Sequence, residues 1–84
     1  MGRTAQPDPI LGAVLRGLRE KKGRTREATA FRAGLTMGAL ARIELGHSAP
    51  ASDTVRRIAR ALGMTLVELA VAIEAAEGTA LDVA

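Results

Sequence analysis

Eighty-four residues carry no cysteine and a single histidine, so the chain is one domain at most, has no disulfide and lacks the ligands of a structural zinc site. Its formal net charge is only +3, yet the charge is divided: residues 1–60 hold all 12 Lys/Arg and five acids, and residues 61–84 hold four acids and no base. That division suggests one region that meets a polyanion and another that does not; the alternative is a generic solvated surface.

The longest charge-free run, Ala33–Ala41, is far shorter than the ~18 residues of a membrane span. Arg3 is soon followed by Pro7, Asp8 and Pro9, which is not the pattern of a signal peptide. Residues 1–7 lack apolar periodicity and are expected to form a flexible arm. Asp8-Pro9 then predicts a helix start, with aspartate as N-cap and proline at the first helical position. Leu11, Val14, Leu15 and Leu18 give that helix its apolar stripe. Lys21, Lys22 and Gly23 end it, with cations at the negative end of the dipole and a glycine beyond.

Thr25 is placed to cap a second helix, with Glu27 in its first turn, running to about Ala33. Gly34 turns the chain and Thr36 caps a third helix, around which Leu35 and Leu40 occupy the positions of a hydrophobic staple. In helix 3, spacings of three and four put Leu40, Ile43 and Glu44 on one face and Met37, Gly38, Ala41 and Arg42 on another. Pro50 forbids a continuous helix through Gly46–Ala51. A fourth helix begins near Ser52, with the stripe Val55, Ile58, Ala59 and Leu62, and Asp53 placed to pair with Arg57 one turn on. Gly63 closes it. Thr65 caps a fifth helix whose main stripe is expected at Leu66, Leu69, Ala70 and Ile73, with Gly78 ending it. Val67 and Val71 fall about 100–140° from Leu66 around the wheel. They form either a second apolar face for a partner or the edge of one widened core stripe. No run alternates at strand spacing, so the domain is expected to be all-α over residues 8–77, with a tail at 78–84.

These cues form an ordered set: Leu15-x-x-Leu18-Arg19, Gly23, Thr25, Ala30, Gly34-Leu35-Thr36, Leu40-x-x-Ile43-Glu44-x-Gly46, Pro50, Ile58-Ala59-x-Ala61-Leu62-Gly63 and Leu69. The set resembles the Cro/C1 repressor helix-turn-helix family, the xenobiotic-response-element type, over about Leu11 to Leu69. The resemblance implies a compact five-helix, lambda-repressor-like domain with its helix-turn-helix at helices 2 and 3. It also implies that helix 3, about residues 37–45, enters the major groove of double-stranded DNA. The chain departs from the family pattern at Thr25-Arg26, where Ser-Gln is usual, at Thr29, where leucine is usual, and at Phe31, where a polar residue is usual.

The resemblance places a DNA-contacting residue at Arg42. Arginine there can fork onto guanine O6 and N7, or else grip a phosphate or stay solvated. Met37 and Gly38 join Arg42 as base-contact candidates: Met37 can touch a thymine methyl, and Gly38 lets the backbone approach. This face packing on protein instead is the alternative. Arg24, Thr25, Arg26, Thr36, His47 and Ser48 are candidates for phosphate contact, and Arg56, Arg57 and Arg60 are taken as a solvated basic face. The resemblance implies that Arg19 and Glu44 form a partly buried ion pair.

The sequence thus predicts a sequence-specific DNA-binding transcriptional regulator, expected in the cytoplasm on the nucleoid. A homodimer through helix 5, with Val67 and Val71 in its interface, would act as a repressor on a palindromic operator. An antitoxin that represses its own operon is a variant of this reading. A protein-interaction module on the same fold is its rival. An enzyme has no support, since there is no nucleophile–base pair, and Gly12 and Gly17 lie in a helix with the wrong spacing for a phosphate loop. Nothing in the sequence calls for a cofactor, a metal or a small-molecule ligand.

Overall fold

The computed structural model describes the backbone of residues 7–83 and the side chains of residues 7–79; the arm expected at residues 1–7 lies almost wholly outside the described residues. Helix starts are set by local hydrogen bonds. The Leu11 amide donates to Asp8 Oδ1 at 3.0 Å, and α1 (Pro9–Lys21) follows with proline in its first turn. The hydroxyl oxygens of Thr25 and Thr36 each accept the amide three residues on, from Ala28 and Ala39, at 3.0 Å. These caps open α2 (Arg26–Ala33) and α3 (Met37–Glu44). Between them Gly34 adopts φ 72°, the left-handed conformation that favours glycine. The Leu35 amide then reaches back to the Ala30 carbonyl at 2.8 Å and completes the turn.

The fourth helix, α4 (Ser52–Ala61), has no side-chain cap. The fifth, α5 (Leu66–Val83), has a reciprocal one: the Glu68 amide donates to Thr65 Oγ1 and the Thr65 amide to Glu68 Oε1, at 3.0 and 2.8 Å. The Thr65-x-x-Glu68 spacing carried that signal. Only helices are found among the described residues.

One core gathers a large side chain from most elements. Leu15 of α1, Leu40 of α3, Ile58 of α4, Leu62 just after it and Leu69 of α5 are all fully buried. The second helix contributes small residues, Thr29, Ala30 and Ala33, and packs on both α3 and α4. The Thr29 hydroxyl donates to the Thr25 carbonyl at 2.9 Å, so it enters the core with its polar group satisfied. Helix α1 crosses α3 and α5, and at the α3 crossing Gly12 is the contact. A Cβ on Gly12 would collide with the Ile43 carbonyl and approach the Glu44 carbonyl to 2.8 Å. Leu35, partly buried against the core, and Leu40 bracket the Thr36 cap.

The fifth helix departs from expectation in two respects. Leu66 and Ala70 are exposed, and the face toward the core is Leu69, Ala72, Ile73 and Ala76. Apolar side chains occur all round this helix, so its wheel gives no single inward direction. The small Ala72 and Ala76 lie on the packed side, and the larger Leu66, Val67 and Val71 stay outside. The helix also runs through Gly78 to Val83 instead of ending there. Gly78 does not take the positive φ of a terminating glycine, and the Thr79 hydroxyl donates to the Ala75 carbonyl within the helix.

Candidate nucleic-acid interface

The back of α3 fixes how its front is presented. Leu40, Ile43 and Glu44 are buried, while Thr36, Met37, Gly38 and Arg42 are exposed. Glu44 anchors the helix by charge. Its Oε2 accepts from Arg19 Nε at 2.7 Å, and its Oε1 accepts from Arg19 Nη2 and from Arg26 Nε, both at 3.1 Å. Arg19 and Glu44 are almost fully buried, and the Arg26 side chain is 33% exposed. One carboxylate therefore joins α1, α2 and α3. The Arg19 guanidinium is held above its already high ordinary pKa, first by the hydrogen bonds to Glu44, with burial opposing. Its Nη1 also donates to the Arg24 carbonyl at 2.8 Å, and Arg24 Nη1 donates to the Ala61 carbonyl at 2.8 Å. Arg24 thus ties the α1–α2 loop to the end of α4.

At the front, the Thr36 hydroxyl engages the Ala39 amide. The Met37 and Gly38 amides, in the first turn, have no partner within their own helix and make up the positive end of its dipole. The same geometry recurs at Thr25, where the Arg26 and Glu27 amides are left at the start of α2. Arg42 lies on a shallow groove of about 230 Å³ lined also by Leu35, Ala39, Ser48, Pro50 and Thr54. The His47 amide folds back on the Arg42 carbonyl at 2.9 Å. This turn holds the α3–α4 loop beside the helix and brings Ser48 next to Arg42, with the His47 side chain exposed.

The candidates therefore separate into groups. Thr36, Met37, Gly38, Arg42 and Ser48 lie along α3 and its following loop. Thr25 lies at the start of α2 and is exposed; Arg26 follows it with Nε committed to Glu44. Arg24 has one nitrogen committed to α4. Val67 and Val71 belong to a different surface, on α5. Sequence reasoning missed the tie of Arg26 to Glu44 and that of Arg24 to Ala61, because both depend on how helices meet. It also passed over Gly12, whose role is the approach of α1 to α3. Among the described residues no group of His, Asp and Glu could hold a metal ion, and no helix is long and apolar enough to cross a membrane.

A model of the helix-turn-helix family matches residues 15–69. Among solved structures, the clp gene regulator ClgR from Corynebacterium glutamicum is similar at 25% identity and TM-score 0.76, over 88% of this chain and 97% of that one. The restriction-modification controller protein C.AhdI from Aeromonas hydrophila is similar at 31% identity and TM-score 0.70, over 73% of this chain and 92% of that one. The controller protein C.Esp1396I has the same fold at TM-score 0.80, with 18% identity over 84% of this chain and 92% of that one. No curated protein matches the sequence.

Proposed function

Since the chain belongs to the helix-turn-helix family, of the Cro/C1 type, and is by that membership a DNA-binding transcriptional regulator, we propose that it acts as a dimeric repressor, in the cytoplasm, that lays α3 in the major groove of a palindromic operator. The observation that carries this reading is the two-sided α3. Its back is fixed by Leu40, Ile43 and the buried Glu44, and its front, from Thr36 to Arg42, is exposed.

In this reading Arg42 is the principal hydrogen-bonding base reader, since Met37 and Gly38 have no side-chain donor for a base edge. Met37 meets a thymine methyl, and Gly38 lets the helix backbone come close. The remaining specificity comes from DNA shape and the spacing of half-sites. Phosphates are gripped by the amides at the Thr25 and Thr36 caps, by the free nitrogens of Arg26, and by Ser48 and His47. Arg24 is left as a structural group. The dimer forms through the outer face of α5, where Leu66, Val67 and Val71 are 48%, 72% and 60% exposed. A two-fold axis there keeps the acidic α5 segments away from the phosphates. No enzymatic step is assigned.

Selection of bound duplexes from a random pool, repeated with Arg42→Ala, tests the assignment. The expected result is a palindromic motif whose information drops in the variant at one position per half-site. An unchanged motif removes Arg42 from base reading. If no duplex is bound even at low salt, where counterion release favours binding, the fold serves instead as a protein-interaction module.

A further inference from the structure

Away from α3, two helices bring three arginines to one pocket. Arg32 from the last turn of α2 and Arg57 and Arg60 from α4 line an open cavity of about 290 Å³, together with Ala61. No acid lines it. Arg57 makes a loose, exposed ion pair with Asp53 one turn back, Nη2 to Oδ2 3.9 Å, which is too long for a hydrogen bond and leaves the cavity side of the cluster without an acid. Among the described residues Arg32 and Arg60 have no side-chain hydrogen bond or ion pair. The backbone acceptor at the pocket wall, the Ala61 carbonyl, already takes a hydrogen bond from Arg24.

Arg57 is held in place rather than waving in solvent. Its Nη2 lies 3.3 Å from Thr54 Oγ1, and its Nη1 rests over the α2–α3 turn, 3.2 Å from where a Cβ on Gly34 would stand. Its Nε is enclosed and has no hydrogen-bond partner. Like charges gathered around a cavity with no acid in its lining are the arrangement of a site that an anion completes.

We propose that this pocket binds a phosphate group. The choice over a carboxylate follows from charge and acceptor number. Each guanidinium offers about five N–H donors. A carboxylate brings one negative charge on two oxygens, which suits a single bidentate arginine. A terminal phosphate brings nearly two charges on three strong acceptor oxygens, which suits a cluster of three. That chemistry names the terminal phosphate of a small phosphorylated molecule; a DNA-backbone phosphodiester, with one charge on two free oxygens, fits the cluster no better than a carboxylate. The site itself stands whether or not the chain binds DNA.

The test is a titration of the intact protein with inorganic phosphate and pyrophosphate, followed through the Nε–H resonances of its arginines by NMR. Saturable shifts at Arg57, Arg32 and Arg60 are expected, tighter for pyrophosphate. In R32Q/R60Q, whose two side chains are exposed and bear no structural contact, affinity should fall by about tenfold or more for each arginine lost, with unchanged melting. Repeating the titration on protein saturated with duplex separates a terminal phosphate from a backbone contact. If DNA blocks the response, and R32Q/R60Q lowers the salt slope of DNA binding by about 1, the pocket is a backbone contact and the assignment to a terminal phosphate is overturned. If the complex still responds, the ligand is a small phosphorylated molecule. No saturable shift on the free protein, an equal response to acetate, or full binding by R32Q/R60Q would each overturn the proposal.

Discussion

Glu44 holds one carboxylate between two guanidinium groups, and its removal leaves Arg19 buried without a counter-charge. Glu44→Ala should therefore lower stability by about 3–5 kcal/mol, as when one partner of a buried pair is deleted; chemical denaturation with an unchanged midpoint would refute this. Two glycines of α1 make a sharper pair of expectations. At Gly17 an added Cβ meets nothing within 4 Å, so Gly17→Ala should stabilise by up to ~1 kcal/mol through helix propensity. At Gly12 the same methyl strikes backbone carbonyls, which have no rotamer to yield. The overpacking cost of about 1–3 kcal/mol should outweigh the propensity gain, and the melting temperatures of the two variants should move in opposite directions. Neither glycine stands out by spacing, because the difference between them lies in what crosses α1. The ends of the Glu44 triad were unequally legible for the same reason. Arg19 and Glu44 are suggested by family pattern and by the inner face of helix 3. The partner of Arg26 is decided by the angle at which α2 meets α3, and no local signal encodes that angle.

At the scale of elements, the first three helices could be read from the sequence because their ends are set within four residues. Asp8-Pro9, Thr25, Gly34 and Thr36 each act through bonds to their own neighbours. Thr36→Ala should accordingly cost about 1 kcal/mol, measurable by thermal melting. It should also weaken DNA binding beyond that loss of stability, because in the proposed interface the same cap orders amides that meet a phosphate. Equal DNA affinity in the folded variant would show that those amides make no contact. The fifth helix was the least legible. Its apolar residues surround it, so direction depends on which side admits close approach to its neighbours. Ala72 and Ala76 provide that side, whereas larger residues elsewhere promised more burial. Glycine at 78 suggested a stop, yet glycine ends a helix only where the chain takes a left-handed turn, and nothing after it demands one.

For the whole molecule, the packing that turned Leu66 outward enlarges the apolar face around Val67 and Val71. Replacing both valines by aspartate should leave the melting of the isolated domain nearly unchanged, since both are exposed. Sedimentation should shift from dimer to monomer, and affinity for a palindromic duplex should fall much more than affinity for a half-site. A wild-type chain that sediments as a monomer at tens of micromolar would remove the dimer from this account. Charge follows the same division. The basic residues lie before residue 61 and the acids of α5 after it, so a dimer about α5 presents two basic surfaces outward from an acidic middle.

The contact between Gly12 and the carbonyls of Ile43 and Glu44 makes α3 a cantilever. Its base is clamped by α1 from below and by the Glu44 charges from the side, while its tip at Met37 and Gly38 is held by the Thr36 cap and the flanking Leu35 and has a glycine at its second position. Stiffness should therefore fall along the helix from base to tip. Hydrogen exchange of the hydrogen-bonded amides should be slowest toward Glu44 and quicken toward the tip, where a duplex would draw the first turn into register with the groove. Ordering that turn would cost free energy on binding, and Gly38→Ala would lower the cost while adding a methyl group to the face proposed to meet the bases.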